Sequence, residues 1–353
     1  MDKYGYFMSV HIHTLQLDLG MQLITQLSKI DRFDASWETI EKRAGASLKQ
    51  LKSIATVRSV GASTRIEGSQ MSDDEVAVLI EKLSVSKFEE RDEQEVIGYF
   101  EALDTIAENY VSINISESQI KNLHKILMAH GDKDAWHRGN YKQVSNAVEA
   151  NFLDRTKQLV FRTAEPGIAT QDAMMQLVEW YYSDKETIPL VKTAVFVYEF
   201  LSIHPFQDGN GRLSRLLGSL LLLQNGYSWI QYVSFEHEIE NRKSEYYKVL
   251  MQTQRNRPGE NITEWLVFFV SCLINIQEQL LAKLADGKIT KSISQREQRI
   301  LFFIQNHPGC SSGEVSKKLN LALPTVKKSL TTLVENGNIT KEGRGKATGY
   351  FVI

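Results

Sequence analysis

Apolar residues recur at helical spacing along most of the chain. Ile24, Leu27, Ile30 and Phe33 form one stripe, and Leu48, Leu51, Ile54 and Val57 another. Ser72-Asp-Asp-Glu75 has the form of a capping box and predicts a helix start. The same periodicity runs through 89–109, 116–130 and 170–183. Residues 188–203 and 213–224 are apolar on most of their surface, which predicts buried helices, the second stopped by Asn225-Gly226. A long amphipathic helix is predicted over 261–284, with Trp265, Phe268 and Phe269 in the core. Residues 136–166 break the pattern. There Gln158-Leu-Val-Phe161 lies between turn residues, which predicts a short β-hairpin within a loop.

Beyond a linker at Ala285-Asp-Gly-Lys the pattern tightens. A helix over 295–306 ends at His-Pro-Gly, a second begins at Ser311, and a third opens at Leu323-Pro324 and stops at Asn336-Gly337. Ile339-Thr-Lys and Tyr350-Phe-Val-Ile then bracket the polar turn Glu342-Gly-Arg-Gly-Lys. Three helices and a two-stranded wing predict a winged helix-turn-helix.

Charge separates this segment from the rest. Residues 287–353 hold eleven Lys/Arg and four Glu, a net +7, while the 353-residue chain totals −2, so the remainder carries −9. Lys327 and Lys328 on the recognition helix, with Arg344 and Lys346 on the wing, suit phosphate contacts. Cys272 and Cys310 have no metal-type spacing, which fits a reducing compartment. The N-terminal MDKYGYFMSVHIH has no signal-peptide pattern, and the apolar run from Leu213 to Leu223 is too short to span a bilayer. The expectation is a cytoplasmic protein without a membrane partner. His11 and His13 lack the further ligands a metal site needs, and His124, His130 and His137 are assigned structural roles.

One stretch demands chemistry: HPFQDGNGRLSR, residues 204–215, between two apolar helices. Gly209, Asn210 and Gly211 can take backbone angles closed to most residues. Consecutive N–H groups in such a turn, with the following helix start, attract an anion. Arg212 and Arg215 share a helix face and can grip phosphates. Asp208 is out of place beside an anion unless a cation bridges the two, the usual setting of Mg²⁺. His204 can accept a proton near neutral pH. Together these describe transfer of a phosphorus group from a nucleotide to a hydroxyl. Pro205 and Phe206 read as scaffold.

The stretch resembles the signature of the Fic (filamentation induced by cAMP) family, HxFx(D/E)GNGRxxR, at every specified position. The resemblance implies a mainly α fold: an N-terminal helical region over 1–110, a Fic core with a hairpin flap over 111–285, and the winged helix over 286–353. It implies a protein adenylyltransferase that moves AMP from ATP to a Ser, Thr or Tyr hydroxyl. His204 would deprotonate the hydroxyl and Asp208 would hold Mg²⁺. The implied nucleotide set is Glu67, His204, Gly209, Asn210, Gly211, Arg212, Leu213, Ser214, Arg215 and Asn241, with Tyr246 and Tyr247 nearby. The flap near Leu159–Phe161 would pin the target segment by strand addition. Ser63-Thr-Arg-Ile-Glu67-Gly68 is similar to the family's inhibitory motif (S/T)xxxE(G/N), in which the Glu pairs with the second signature arginine, here Arg215. An ordinary helix end capped by Gly68 also explains those residues.

The implied partners are ATP, a protein hydroxyl that could belong to the chain itself, DNA at the winged helix, and a second copy of the chain. Two rival readings stand beside this one. In the first, the same fold removes AMP, with Glu67 orienting water. In the second, the chain is a DNA-binding regulator whose core senses nucleotide.

Overall fold

The computed structural model describes residues 5–10, 13–83, 88–131, 135–151, 157–285, 295–343 and 348–352. It is mainly helical, with three two-stranded antiparallel sheets among the described residues. In chain order the elements are β1 (Gly5–Val10), β2 (His13–Asp18), α1 (Met21–Ala44), α2 (Ala46–Glu67), α3 (Asp73–Glu81), α4 (Arg91–Asn109) and α5 (Glu117–Leu127). Next come β3 (Ala147–Asn151), β4 (Lys157–Arg162), α6 (Ile168–Ser183), α7 (Pro189–Ile203) and α8 (Asn210–Gln224). A short 3-10 turn over Ser228–Tyr232 leads to α9 (Phe235–Asn241), α10 (Lys243–Gln254) and α11 (Thr263–Ala285). The C-terminal unit has α12 (Gln295–Asn306), α13 (Ser312–Lys318), α14 (Leu323–Glu335), β5 (Ile339–Glu342) and β6 (Gly349–Val352).

The two apolar helices form the centre. All residues of α7 from Thr193 to Ile203 are buried, and so is α8 apart from Gly211 and its last residue. Helices α7 and α8 pack on each other, and α2, α4 and α5 close over α8. The stripe expected on α1 is real for Leu27, Ile30 and Phe33, but Ile24 points to solvent. Helix α11 is the one described helix long and apolar enough to cross a membrane. Here it packs against α1, α7, α9 and α10, with Trp265, Phe268 and Phe269 buried as the periodicity predicts.

The sequence reading missed the N-terminal hairpin of β1 and β2. Its signal is the alternation Leu15-Gln16-Leu17, whose leucines are fully or nearly fully buried. The hairpin is stitched to the entry of α11, where the Gln16 N–H donates to the Glu260 carbonyl and the Ile262 N–H to the Gln16 carbonyl, both at 2.9 Å. The predicted flap is present as β3 and β4, paired with an irregularity at Val148/Glu149. The linker after Ala285 and the wing cations Arg344 and Lys346 lie outside the described residues, as does His11.

The winged helix has its own core, built from Ile300, Ile304, Val315, Val326, Leu330, Leu333 and Ile339 among others. It rests on α3. Arg299 pairs with Glu81 at 2.6 Å and His307 with Asp74 at 2.8 Å. Ser311 and Glu314 form a capping box at the start of α13, as Ser72 and Glu75 do on α3.

Candidate active site

The residues of 204–215 occupy the turn from α7 into α8. His204 caps α7 with φ 53° and ψ 59°, a left-handed conformation uncommon for a residue with a side chain. Backbone strain of this kind concentrates at functional sites. The His204 N–H donates to the Phe200 carbonyl at 3.0 Å, and Nδ1 lies 3.4 Å from the Leu201 carbonyl. That contact suits the tautomer with the proton on Nδ1, leaving Nε2 as an acceptor. Burial pushes the imidazole pKa down to about 4; the Lys142 charge adds to this, and the Leu201 carbonyl, Glu67 and Asp208 oppose it.

The loop is held from beneath. Phe206 is fully buried and stacks on His124, ring centroids 3.8 Å apart. His124 is fully buried; its Nδ1 accepts the Gly139 N–H at 2.9 Å and its Nε2 donates to the Asp208 carbonyl at 3.0 Å. Both ring nitrogens are therefore committed, and burial holds this histidine neutral with a pKa of about 4. The structural role expected for His124 is met, but it is a role in shaping the candidate site. Asn210 spends its amide on the same loop: Oδ1 accepts the Phe206 N–H at 2.9 Å and Nδ2 donates to the Phe206 carbonyl at 2.8 Å. Its side chain is thus a brace, and only its backbone N–H is left to meet an anion.

Gly209, at φ 78°, starts α8. A helix's first turn leaves its N–H groups without intrahelical partners. Asp208 sits beside this end with its side chain 41% exposed. Its Oδ1 accepts the Gly209 N–H at 2.6 Å, and its Oδ2 lies 3.5 Å from both Arg212 and Arg91. Burial raises the Asp208 pKa, but Arg212, the Gly209 N–H and Arg91 outweigh it and keep the carboxylate ionised below its ordinary range. Arg212 is 2% exposed and pairs with Glu95 at 3.3 Å, yet its Nε has no hydrogen-bond partner. A buried guanidinium N–H left open at a helix start is the mark of a site made for oxygen anions. Leu213 is buried in the core, and the Ser214 hydroxyl turns back to the Gly211 carbonyl at 2.7 Å. Their backbone is the part able to face a ligand.

Arg215, one turn further, is claimed by α2. Its Nε donates to Ser63 Oγ at 2.8 Å, and its Nη2 donates to the Ser63 carbonyl at 2.9 Å and to Glu67 Oε1 at 2.7 Å. Burial alone would lower the Arg215 pKa; the Glu67 carboxylate more than compensates and holds it above the ordinary arginine value. Glu67 also lies flat over Gly211, where a Cβ would come within 2.3 Å of Glu67 Oε1. An alanine there would force the carboxylate to shift. The helix end expected at Gly68 is present. At φ 118° it closes α2 with a Schellman pair, Gly68 N–H to Arg65 and Ser69 N–H to Thr64, both 3.1 Å, and this end aims Glu67 at Arg215.

Neighbouring residues complete the site, and Tyr99, Asp92 and Glu236 among them were not singled out by the sequence. Arg65 makes a bidentate pair with Glu240 at 2.6 and 3.0 Å, fixing α2 to α9. The Tyr99 hydroxyl donates to Glu236 at 2.9 Å behind Ser63. Asp92 accepts from the Gln70 N–H at 2.8 Å and from the Ser69 hydroxyl, holding the turn after α2. Tyr246 is buried against Arg215 and Glu67, its pKa raised to about 12 chiefly by burial, and Tyr247 stands beside it. Asn241 ends α9 with an exposed side chain.

No group of three or more metal-ligating side chains occurs among the described residues. A cation here would take one carboxylate, Asp208, and draw its remaining ligands from a nucleotide and water, which is how Mg²⁺ is commonly held. Asp208, the Gly209–Gly211 turn and the open Arg212 Nε fit a magnesium nucleotide.

Residues 114–222 match the Fic/DOC family model, and residues 293–340 match a winged helix-turn-helix DNA-binding model. Among curated relatives, the protein adenylyltransferase Fic of Culex quinquefasciatus is 28% identical over 188 residues, 52% of this chain and 35% of that protein. The Drosophila grimshawi protein of the same name is 29% identical over 189 residues, 52% and 36% of the two chains. The chain thus spans little more than a third of those relatives' length. Among solved structures, a Fic family protein from Desulfovibrio desulfuricans G20 superposes with a TM-score of 0.63 over 95% of this chain and 97% of that one, at 21% identity. Fic-1 (residues 134–508) of C. elegans gives 0.55 over 76% and 74%, at 19%. Residues 114–222, which hold the α7–α8 turn, are thus similar to a Fic domain, and a winged helix-turn-helix follows them.

Proposed function

We propose that the chain is a Fic-type protein adenylyltransferase, restrained in cis by Glu67. The observation that carries this reading is the Glu67 carboxylate seated over Gly211 on Arg215, an anion lodged at an anion-binding helix start. With Glu67 withdrawn, the first-turn N–H groups of α8, Arg212 Nε and the Arg215 guanidinium would face one triphosphate. Asp208 would hold its Mg²⁺, which supplies charge neutralisation on the phosphates. His204 Nε2, unprotonated, accepts the proton of a Ser, Thr or Tyr hydroxyl on the target. The freed oxygen bonds to the α-phosphorus, the bond from that phosphorus to the pyrophosphate oxygen breaks, and pyrophosphate leaves with that electron pair. Arg212 and Arg215 stabilise the charge that builds on it. This is positioning and electrostatics. The division at 1–110, 111–285 and 286–353 belongs to the same reading: a restraining region, a transferase core, and a winged helix whose exposed Lys327 and Lys328 suit DNA phosphates.

The test is intact-mass analysis of the wild-type chain, Glu67→Gly and His204→Ala after incubation with ATP and Mg²⁺. Glu67→Gly should gain the mass of AMP, wild type much less, and His204→Ala none. Labelling unaffected by His204→Ala would end the reading. If instead an AMP-modified target loses AMP to wild type but not to Glu67→Gly, the chemistry runs in the removal direction. Binding of duplex DNA that weakens as salt rises and is lost on Lys327→Glu/Lys328→Glu supports the nucleic-acid role of the winged helix.

A further inference from the structure

A buried lysine lies between the flap and the turn that carries His204. Lys142 is 2% exposed. Its Nζ donates to Asn146 Oδ1 at 2.9 Å, Thr163 Oγ1 at 2.7 Å and the Ile203 carbonyl at 3.3 Å. Among the described residues, no carboxylate stands within ion-pair distance of it. Burying an ammonium against neutral oxygens alone is costly.

Its contacts are placed to couple two parts of the site. Asn146 immediately precedes β3 and Thr163 immediately follows β4, so one ammonium gathers both feet of the flap. The third contact, Ile203, is joined by a peptide bond to His204. The same short segment holds two carbonyls beyond the histidine: the Lys142 N–H donates to that of Pro205 at 2.8 Å and Asn146 Nδ2 to that of Phe206 at 2.9 Å. Tyr141 forms a β-bridge to Phe206. Three carbonyls flanking the histidine, those of Ile203, Pro205 and Phe206, are thus anchored to the stem that would align a target strand.

We propose that Lys142 is a positioning residue for the proton transfer: it fixes the His204 peptide to the flap stem and brings a positive charge onto the carbonyl joined to it. The inference rests on the transferase reading for its purpose, but its physical content does not. The charged groups that bear on His204 are Lys142 from the flap stem, Glu67 from α2 and Asp208 from its own loop; the first disfavours the imidazolium and the other two favour it. Glu165 is the acid that bears on Lys142, and burial still lowers the lysine to about 8, so it is charged throughout the range where a histidine titrates. A neutral side chain could anchor the flap, but it would supply no field at His204.

The experiment is a pH titration of ¹³C-labelled histidine by NMR in the full chain, with His204 assigned by loss of its signal in His204→Ala. Lys142→Met should raise the His204 midpoint by about one pH unit, whereas Lys142→Arg, which keeps the charge, should leave it near the wild-type value. In the Glu67→Gly background the acid limb of the transfer rate should follow, and KM for a target peptide should rise while that for ATP stays put. If Lys142→Met does not fold, Lys142→Gln removes the charge while keeping a donor and is held to the same outcome. An unchanged midpoint in the neutral variant, or an equal shift in Lys142→Arg, overturns the proposal. The titration reads the histidine even if no transfer is detected, so failure of this inference and failure of the transferase reading are told apart.

Discussion

Replacing Glu67 by glutamine keeps the shape of the end of α2 and removes one charge from Arg215. The pair is 2.7 Å long, with the arginine side chain 2% exposed and the glutamate 31% exposed. Two unit charges about 4 Å apart at an effective dielectric near 20 attract by roughly 4 kcal/mol. Desolvation and the partial exposure of Glu67 reduce the net, and close charge pairs in comparable settings couple by upwards of about 1.5 kcal/mol. Part of that attraction must be given up whenever an anionic ligand takes over Arg215. About 1.5–3 kcal/mol corresponds to an ATP affinity roughly 10- to 150-fold weaker in wild type than in Glu67→Gln. The same substitution leaves a buried guanidinium without its acid, so the ligand-free variant should be less stable by about 1–3 kcal/mol. The two effects have opposite signs and one cause. Calorimetric titration with magnesium ATP gives the first, and thermal melts with and without ATP give the second. The expected pattern is a lower melting temperature for Glu67→Gln alone and a larger upward shift on adding ATP. Equal ATP affinity in the two proteins would refute the idea that Glu67 and a triphosphate compete for Arg215.

Three further outcomes follow from the same geometry. Gly211→Ala forces its Cβ against Glu67 and should cost about 1–3 kcal/mol in wild type but little in Glu67→Gly; chemical denaturation of the four proteins reads this coupling, and strict additivity would sink it. Asn210→Ala removes both hydrogen bonds to the Phe206 backbone and should cost about 2–3 kcal/mol and abolish transfer in Glu67→Gly, measured by melts and by labelling. His124 is neutral in the fold with a pKa near 4, below its unfolded value, so it contributes stability above the unfolded pKa that is lost as pH falls from about 6.5 toward 4. Denaturation midpoints should drop through that window, and a His124→Gln variant should drop less.

How much of this could be read without coordinates depended on whether a residue's role was local. The α7–α8 turn was legible because its parts are contiguous: the glycines, the acid and the arginines act within twelve residues, and the helix start that organises them is itself a sequence feature. The winged helix was legible for a similar reason, since its caps and stops are encoded beside the helices they bound. Asn210 shows the limit of local reading. Its place in the motif was plain, but its amide is consumed in bracing Phe206, and nothing in the spacing told a brace from a ligand. The N-terminal hairpin escaped because its second strand is pinned through Gln16 to Glu260 and Ile262, partners more than 240 positions away.

The residues missed in the site share that dependence. Glu95, Tyr99 and Asp92 sit on an ordinary amphipathic helix, α4, yet Glu95 meets Arg212, Tyr99 lies behind Ser63 and Asp92 holds the turn after Glu67. One helix thus touches Arg212, the support of Arg215 and the end of α2. Arg65 extends the connection: it binds Glu240 on α9 and pairs with Asp73 at 2.9 Å on α3, the helix against which the winged helix rests. The end of α2 is therefore held by contacts from α3, α4 and α9 together. Moving Glu67 off Arg215 means displacing a side chain at a braced helix end, and the least disruptive route is rotation of the glutamate side chain alone. The Schellman turn at Gly68 and the Asp92 clamp stay intact during such a rotation, whereas unwinding the end of α2 would break both. Protection of the Ser69 and Gln70 amides from hydrogen exchange should accordingly persist when the wild-type chain is saturated with ATP.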